Sequence, residues 1–405
     1  MLTLFALAVF AAPLPEPTRI DEVRFEGLWL THEATVRREQ TFAPGDEVTP
    51  EAWGLFETRL WNLGVFSRVD LQLVEEEGKK VALVKLEDVF PLAPILFFQF
   101  GGGQFYLWLG AMYANLFGRA MQTYAFYQRF GAYNGFHVDL MDPRLFNTRT
   151  KGKVEVEYLP RPRPEFLQLR GAVRLSFETN APGVIDDQLR LGVVVEGTTD
   201  AFGARDEDPA PPPPASLGLR AGPYLRVGRL DTDRLRFSRG FAELRATAGA
   251  TSAPQYPVWN QVELEAQWFI EWGSRFNFAS RLKAGAVYSA RPQDRFYLGG
   301  LDAVRGYQDS EFRAFSHATA NVELRFVAFD STWFAVMPVA FVDGGVMVRD
   351  TGNVAAVASA GAGLHLLIPR IAMYGGRVEV AFPFVPGPLS PAFAPGFNFG
   401  VWHFF

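Results

Sequence analysis

The side chains best suited to a specific chemical task in this chain are one arginine and two acids. Arg305 stands in Val304-Arg305-Gly306-Tyr307, inside the turn-rich stretch from Leu298 to Ser310. Glu323 follows in Ala320-Asn321-Val322-Glu323-Leu324-Arg325-Phe326, and Asp343 in Phe341-Val342-Asp343-Gly344-Gly345. Alternation at period two puts both acids on the polar face of their segments. An arginine tucked into a poorly solvated cavity needs a paired acceptor, and a carboxylate held bidentately fixes both distance and orientation. Either Asp343 or Glu323 can serve. Lysine cannot copy that fork. Removing one partner of a well-buried pair strands a charge, at roughly 3–5 kcal/mol.

Catalytic constellations are missing. The chain has no G-x-S-x-G elbow and no phosphate-binding glycine loop. Its five histidines (32, 137, 317, 365 and 403) show no metal-binding spacing. Acids such as Glu263, Glu265 and Glu271 recur as one face of a strand rather than as an acid/base pair. With no cysteine, disulfides and thiolate metal sites are excluded. The net charge of −5 gives no basis for nucleic-acid binding. The expectation is a non-enzyme with neither metal nor cofactor.

The elements that hold Arg305 and its acids must be strands. The 405 residues are 48% hydrophobic and 15% aromatic, with 38 phenylalanines beside 38 glycines. No stretch reaches the roughly 18 consecutive apolar residues of a membrane helix. From Ile95 to Phe405 the period is two almost throughout, as in Gln261-Val262-Glu263-Leu264-Glu265-Ala266-Gln267-Trp268. Lys153–Tyr158, Asn321–Phe326 and Arg377–Val380 repeat the design. A compact core cannot hide so many charged faces. A barrel with a polar lumen and an apolar outer belt accommodates both faces and closes its own backbone hydrogen bonds. The alternating segments number about 16, from 95–100 to 396–405. The eleventh and twelfth, 274–289 and 317–329, flank the arginine loop. Tight turns such as Phe117-Gly118-Arg119, Asp231-Thr232-Asp233 and Gly273-Ser274 alternate with longer loops at 200–216 and 291–316. Short turns at one end and long loops at the other are the asymmetry of an outer-membrane barrel.

Residues 18–90 differ in character. Ile20–Phe25 reads as a strand, and Thr31 as the cap of a charged helix from Glu33 to Gln40. A second helix opens at Thr49-Pro50-Glu51, with Ala52, Leu55, Phe56, Leu60 and Leu63 as its apolar face and Gly64 as its left-handed terminator. Two strands follow around Glu76-Glu77-Gly78. The order β-α-α-β-β is that of a small two-layer α+β domain. Before it, Met1–Ala12 is an apolar run ending in small residues and a Pro-rich break, which reads as a secretory signal peptide. At the other end, Phe397-Asn398-Phe399-Gly400-Val401-Trp402-His403-Phe404-Phe405 alternates up to a terminal aromatic.

These residues resemble a known superfamily. Val23-x-Phe25-x-Gly27 and Leu60-x-x-Leu63-Gly64-x-Phe66-Ser67-x-Val69 resemble a polypeptide-transport-associated (POTRA) domain. Val304-Arg305-Gly306-Tyr307, the strand holding Glu323 and the Asp343-Gly344 pair resemble the signature of the BamA/TamA-type outer-membrane protein-assembly and two-partner-secretion superfamily. The tail through Gly400 to Phe405 is similar to the C-terminal signal of outer-membrane barrels. His403 departs from that pattern, standing where an apolar or aromatic residue is usual.

The resemblance implies a mostly β fold: a transmembrane antiparallel barrel (91–405) behind a signal peptide (1–12) and one POTRA-like periplasmic domain (18–90). It implies an insertase or translocase in the outer membrane of a Gram-negative bacterium. Its partners would be unfolded outer-membrane or secreted client polypeptides, outer-membrane lipids, and accessory lipoproteins or periplasmic chaperones. Clients would be engaged by strand addition. A passive pore or structural barrel of the same fold is the alternative. The first strand runs into Gly101-Gly102-Gly103, which reads either as a weakly paired seam or as an ordinary glycine-rich hairpin.

Overall fold

A computed structural model describes residues 16–163, 165–181, 188–204, 212–233, 236–255, 257–288, 291–300, 303–331, 334–367 and 375–401. The segment Met1–Ala12, expected to be a signal peptide, and the terminal Phe405 lie outside the described residues. The chain falls into two compact units. One comprises Met1–Pro94, Ala111–Ala125 and Asp139–Gly152; the other comprises Ile95–Gly110, Phe126–Val138 and Lys153–Phe405.

The first unit is built on a three-stranded sheet, β1 (Glu22–Glu26), β2 (Phe66–Glu76) and β3 (Lys79–Asp88). The sheet runs in the order β1-β3-β2, with β1 parallel to β3 and β2 antiparallel to it. Two helices lie between β1 and β2 in sequence, α1 (Glu33–Arg37) and α2 (Pro50–Asn62). Thr49 caps α2 by accepting from the Ala52 amide at 3.3 Å, and Pro50 sits where a missing N–H is harmless.

Two details differ from the sequence reading. Helix α1 ends at Arg37 and its N-cap is His32. Thr31 is instead drawn into a buried polar knot, donating to Asp88 and accepting from Asn115 Nδ2 at 2.7 Å. A threonine offered a buried carboxylate is worth more there than at a helix cap, where the gain is about 1 kcal/mol. The apolar face of α2 is carried by Trp53, Phe56, Leu60 and Leu63, while Leu55 is half-buried. Trp53 stacks on Phe42 at 5.9 Å, a contact that local spacing does not announce.

The first unit also takes in segments beyond residue 94. The turn 117–120 and the segment 143–149 belong with the α+β module because polar bonds tie them there. The His32 amide and the Thr35 hydroxyl both donate to the Gly118 carbonyl at 2.9 Å. Arg144 donates to the fully buried Glu39 at 2.6 and 2.8 Å.

Sixteen long strands form a closed barrel among the described residues. They are β4 (Leu92–Gly101), β5 (Gln104–Leu116), β6 (Met121–Phe130), β7 (Tyr133–Asp142), β8 (Thr150–Pro162), β9 (Phe166–Asn180), β10 (Leu189–Ala204) and β11 (Ser216–Asp233). Then come β12 (Arg236–Thr251), β13 (Val258–Trp272), β14 (Phe276–Tyr288), β15 (Phe312–Phe326), β16 (Ala335–Arg349), β17 (Val354–Leu367), β18 (Gly375–Pro383) and β19 (Gly396–Val401). Sequence neighbours pair, and β19 pairs back onto β4.

Alternation explains the wall. On β13, Val262, Trp268 and Ile270 are exposed outward while Gln267 is buried inward. On β16, Val342 and Val346 face out while Phe341, Asp343 and Met347 face in. An apolar exterior on every strand is tolerable only where lipid replaces water, and closure leaves no unpaired edge in that lipid.

The sequence reading misplaced two borders. Asp231–Asp233 is not a turn but the end of β11, paired with β12 from Leu230↔Arg239 to Asp233↔Arg236. Strand β15 begins at Phe312 rather than near residue 317, because Phe296–Leu298 folds back and pairs with Phe312–Ala314.

Candidate functional site

The loop from 303 to 311 lies between that short pair and β15, and it turns inward. Val304 and Tyr307 are buried with Leu298, Phe312, Met347 and Val357. This small apolar cluster holds the loop, so the buried positive charge of Arg305 must be met by the wall. Gly306 has φ +91°, a conformation that costs a side chain about 1–3 kcal/mol. A Cβ there would also press on Ala381 and Pro383 at 3.3–3.4 Å. Both limits explain why glycine follows the arginine.

Arg305 is 3% exposed and meets three carboxylates. Its Nε donates to Asp343 Oδ2 at 2.7 Å and its Nη2 to Asp343 Oδ1 at 2.8 Å, a bidentate fork. Nη1 donates to Glu323 Oε1 at 2.6 Å and lies 3.4 Å from Glu379 Oε1. The Arg305 amide also donates to Asp343 Oδ2 at 3.0 Å. The face of the guanidinium is covered by the Phe341 ring, 3.5 Å from Cζ to the centroid. Asp343, Glu323 and Glu379 come from β16, β15 and β18, so one side chain gathers three strands.

Sequence reasoning left Asp343 and Glu323 as alternatives; the structure brings both to Arg305. It missed Glu379, which stood in the quoted alternating segment Arg377–Val380 but gave no sign of its depth. It also missed the shell around the latch. Arg325 donates to Glu323 Oε2 at 2.8 Å, and His365 Nε2 lies 3.0 Å from Glu379 Oε1. Asn321 Nδ2 donates to the Ala303 carbonyl at 2.9 Å, while Arg281 donates to Asn321 Oδ1 at 3.0 and 3.1 Å. The loop is thus held at its start by Asn321 and at its arginine by the acids. Tyr307 completes the grip, its hydroxyl donating to the Val385 carbonyl at 2.7 Å and accepting from the Ala358 amide at 3.3 Å.

The remaining candidates lie elsewhere. Gly27, at φ +87°, abuts the Leu86 carbonyl at the end of β1; Leu63, Phe66 and Val69 are in the core of the module. Gly64, at φ +69°, follows the last turn of α2, its amide donating to the Trp61 carbonyl at 3.0 Å. Gly400 is at the seam, opposite Gln99. Among the described residues that seam has three pairs, Phe399↔Phe100, Gly400↔Gln99 and Val401↔Phe98, with the Phe100 and Phe399 rings stacked at 5.5 Å. By contrast, β11 and β12 share fourteen.

This geometry can be set beside known proteins. Residues 241–401 match the Omp85 superfamily domain. No curated protein matches the chain. Among solved structures, BamA from Haemophilus ducreyi lacking POTRA domains 1–3 is similar at 14% identity, with TM-score 0.68 over 94% of this chain and 84% of that one. CdiB from Escherichia coli is similar at 14% identity, with TM-score 0.67 over 95% of this chain and 76% of that one. CdiB from Acinetobacter baumannii has TM-score 0.63 at 13% identity, over 95% and 74%. At such identities the likeness is one of fold. Residues 241–401 are therefore similar to the Omp85 superfamily domain, within a barrel that shares its fold with BamA and CdiB.

Proposed function

We propose that this chain is an outer-membrane protein insertase or translocase of a Gram-negative bacterium. Residues 18–90 act as a POTRA-like domain in the periplasm, where they receive unfolded client polypeptides by strand addition to a sheet edge. The barrel, residues 91–405, then inserts or secretes them. Outer-membrane lipid surrounds the barrel, and accessory lipoproteins or periplasmic chaperones deliver clients. The work is mechanical rather than enzymatic and uses no cofactor, since the lumen offers paired charges rather than a nucleophile with its base.

One observation supports this reading best. A loop locked by three carboxylates is a costly fitting for a simple tube, because each buried ion gives up several kcal/mol of hydration. Such a fitting suits a barrel that must stay shut under load and yield on demand. The alternative is a passive pore, and it draws on the ion-pair ladders of the opposite wall. There Glu196 meets Arg174 at 2.5 Å and Arg220 at 2.6 Å, a lining that ions can follow.

Reconstitution separates the two. Proteoliposomes holding the purified chain are mixed with a small urea-denatured outer-membrane barrel, and its folding rate is compared with that in empty vesicles. Acceleration supports the insertase. An unchanged rate alongside steady single-channel conductance supports the pore.

A further inference from the structure

The arginine latch binds the loop to β15, β16 and β18, but the rest of the loop reaches farther, to both sides of the seam. On the side of the first barrel strand, the Asp309 amide donates to the Gly102 carbonyl at 2.9 Å, immediately after β4 ends. Gly102 has φ +57°, and a Cβ there would stand 2.6 Å from the Asp309 nitrogen. The loop backbone therefore lies directly on this turn.

On the side of the last strand, Glu311 is the hub. Its buried carboxylate accepts from the Leu389 amide at 2.8 Å and the Ser390 amide at 3.0 Å through Oε1. Through Oε2 it accepts from the Ser390 hydroxyl at 2.5 Å and the Gln308 amide at 2.8 Å. Leu389 and Ser390 belong to the connection that leads into β19. Gly306 packs on the first residue of that strand, where a Cβ on Gly396 would come within 3.0 Å of the Gly306 Cα.

We propose that residues 303–311 are a staple across the closing seam, with Glu311 as the positioning residue on the β19 side and the Asp309–Gly102 backbone bond as the anchor on the β4 side. The seam's own ladder is short among the described residues. Carboxylate acceptors make hydrogen bonds about twice as strong as neutral ones. Three of them join Glu311 to Leu389 and Ser390, while a fourth, from the Gln308 amide, fixes its carboxylate within the loop; the three outweigh the contribution of a few ladder bonds. Parting β4 from β19 therefore requires the loop to release one side first. Glutamine is no substitute at 311, because its amide nitrogen cannot accept from Gln308 or Ser390. The inference requires only the barrel, so client handling can fail while the staple stands.

Hydrogen exchange on the full chain in detergent micelles tests it without any client. In Glu311→Gln, amides of residues 92–101 and 396–401 are expected to exchange roughly 10- to 100-fold faster, the loss of one to two charge-assisted bonds. Amides of β11, β12 and β13 stay unchanged. Acceleration confined to residues 384–395, or none, overturns the staple. Should Glu311→Gln fail to fold, Gly102→Ala attacks the other anchor. It is expected to expose the same two seam strands while 384–395 stay protected, and an unperturbed seam in that variant also overturns the proposal.

Discussion

Replacing Arg305 with lysine keeps the charge and removes the fork, which makes it the sharpest probe of the latch. The arginine makes two bonds to Asp343, one to Glu323 and a longer contact to Glu379. An ammonium on a shorter stem reaches one or two of these acceptors. At least two charge-assisted hydrogen bonds are lost, each contributing roughly 1.5–3 kcal/mol. Some recovery comes from the retained charge, so a net destabilisation of about 3 kcal/mol is expected. Urea unfolding in lipid vesicles, followed by tryptophan fluorescence and by heat-modifiable gel migration, measures it. A double-mutant cycle with Asp343→Asn should show a coupling of at least about 1 kcal/mol, as residues in one buried network do. If Arg305→Lys lies within about 0.5 kcal/mol of wild type, where harmless surface changes fall, the latch contributes nothing to stability and the argument built on it fails.

Other expectations follow from the same geometry. Gly306→Ala should destabilise by about 1–3 kcal/mol through its positive φ alone, read by the same urea transition. Glu379→Gln should weaken both the Arg305 and the His365 contacts, lowering the urea midpoint by less than Arg305→Lys does. Val342→Arg on the outward face of β16 should cost about 2–4 kcal/mol in lipid, whereas Glu265→Gln on the inward face of β13 should be nearly neutral. In the first unit, Glu39→Ala leaves Arg144 without its buried partner and should cost roughly 3–5 kcal/mol, seen as faster proteolysis at residues 143–149.

The barrel was legible because its physics is local. A strand with lipid on one side and charge on the other must alternate, and sixteen such segments sit in the sequence within a few residues of β4–β19. The borders that moved are those set by distant pairing. Asp231–Asp233 looks like a turn but is held in register by β12, and Phe312 joins β15 because Phe296–Leu298 folds back on it. The site followed the same division. Parity put Glu323 and Asp343 on the inner face, yet parity states a side and not a height. Glu379 shares that face, and only the register of β17 with β18 brings it beneath Arg305 and beside His365. Glu311 gives no local sign either, for its partners Leu389 and Ser390 lie far along the chain. In the module, Thr31 had the right residue type for a helix cap and was claimed by Asp88, a tertiary offer that no window around residue 31 contains.

The most direct measurement of client handling is made in the cell. The protein is depleted, and the outer-membrane and secreted proteomes are quantified before growth slows. The expected result is the loss of a defined set of barrels or secreted proteins, restored by the wild-type chain and not by Arg305→Lys. Outer-membrane and secreted proteomes that stay unchanged after depletion would contradict the account.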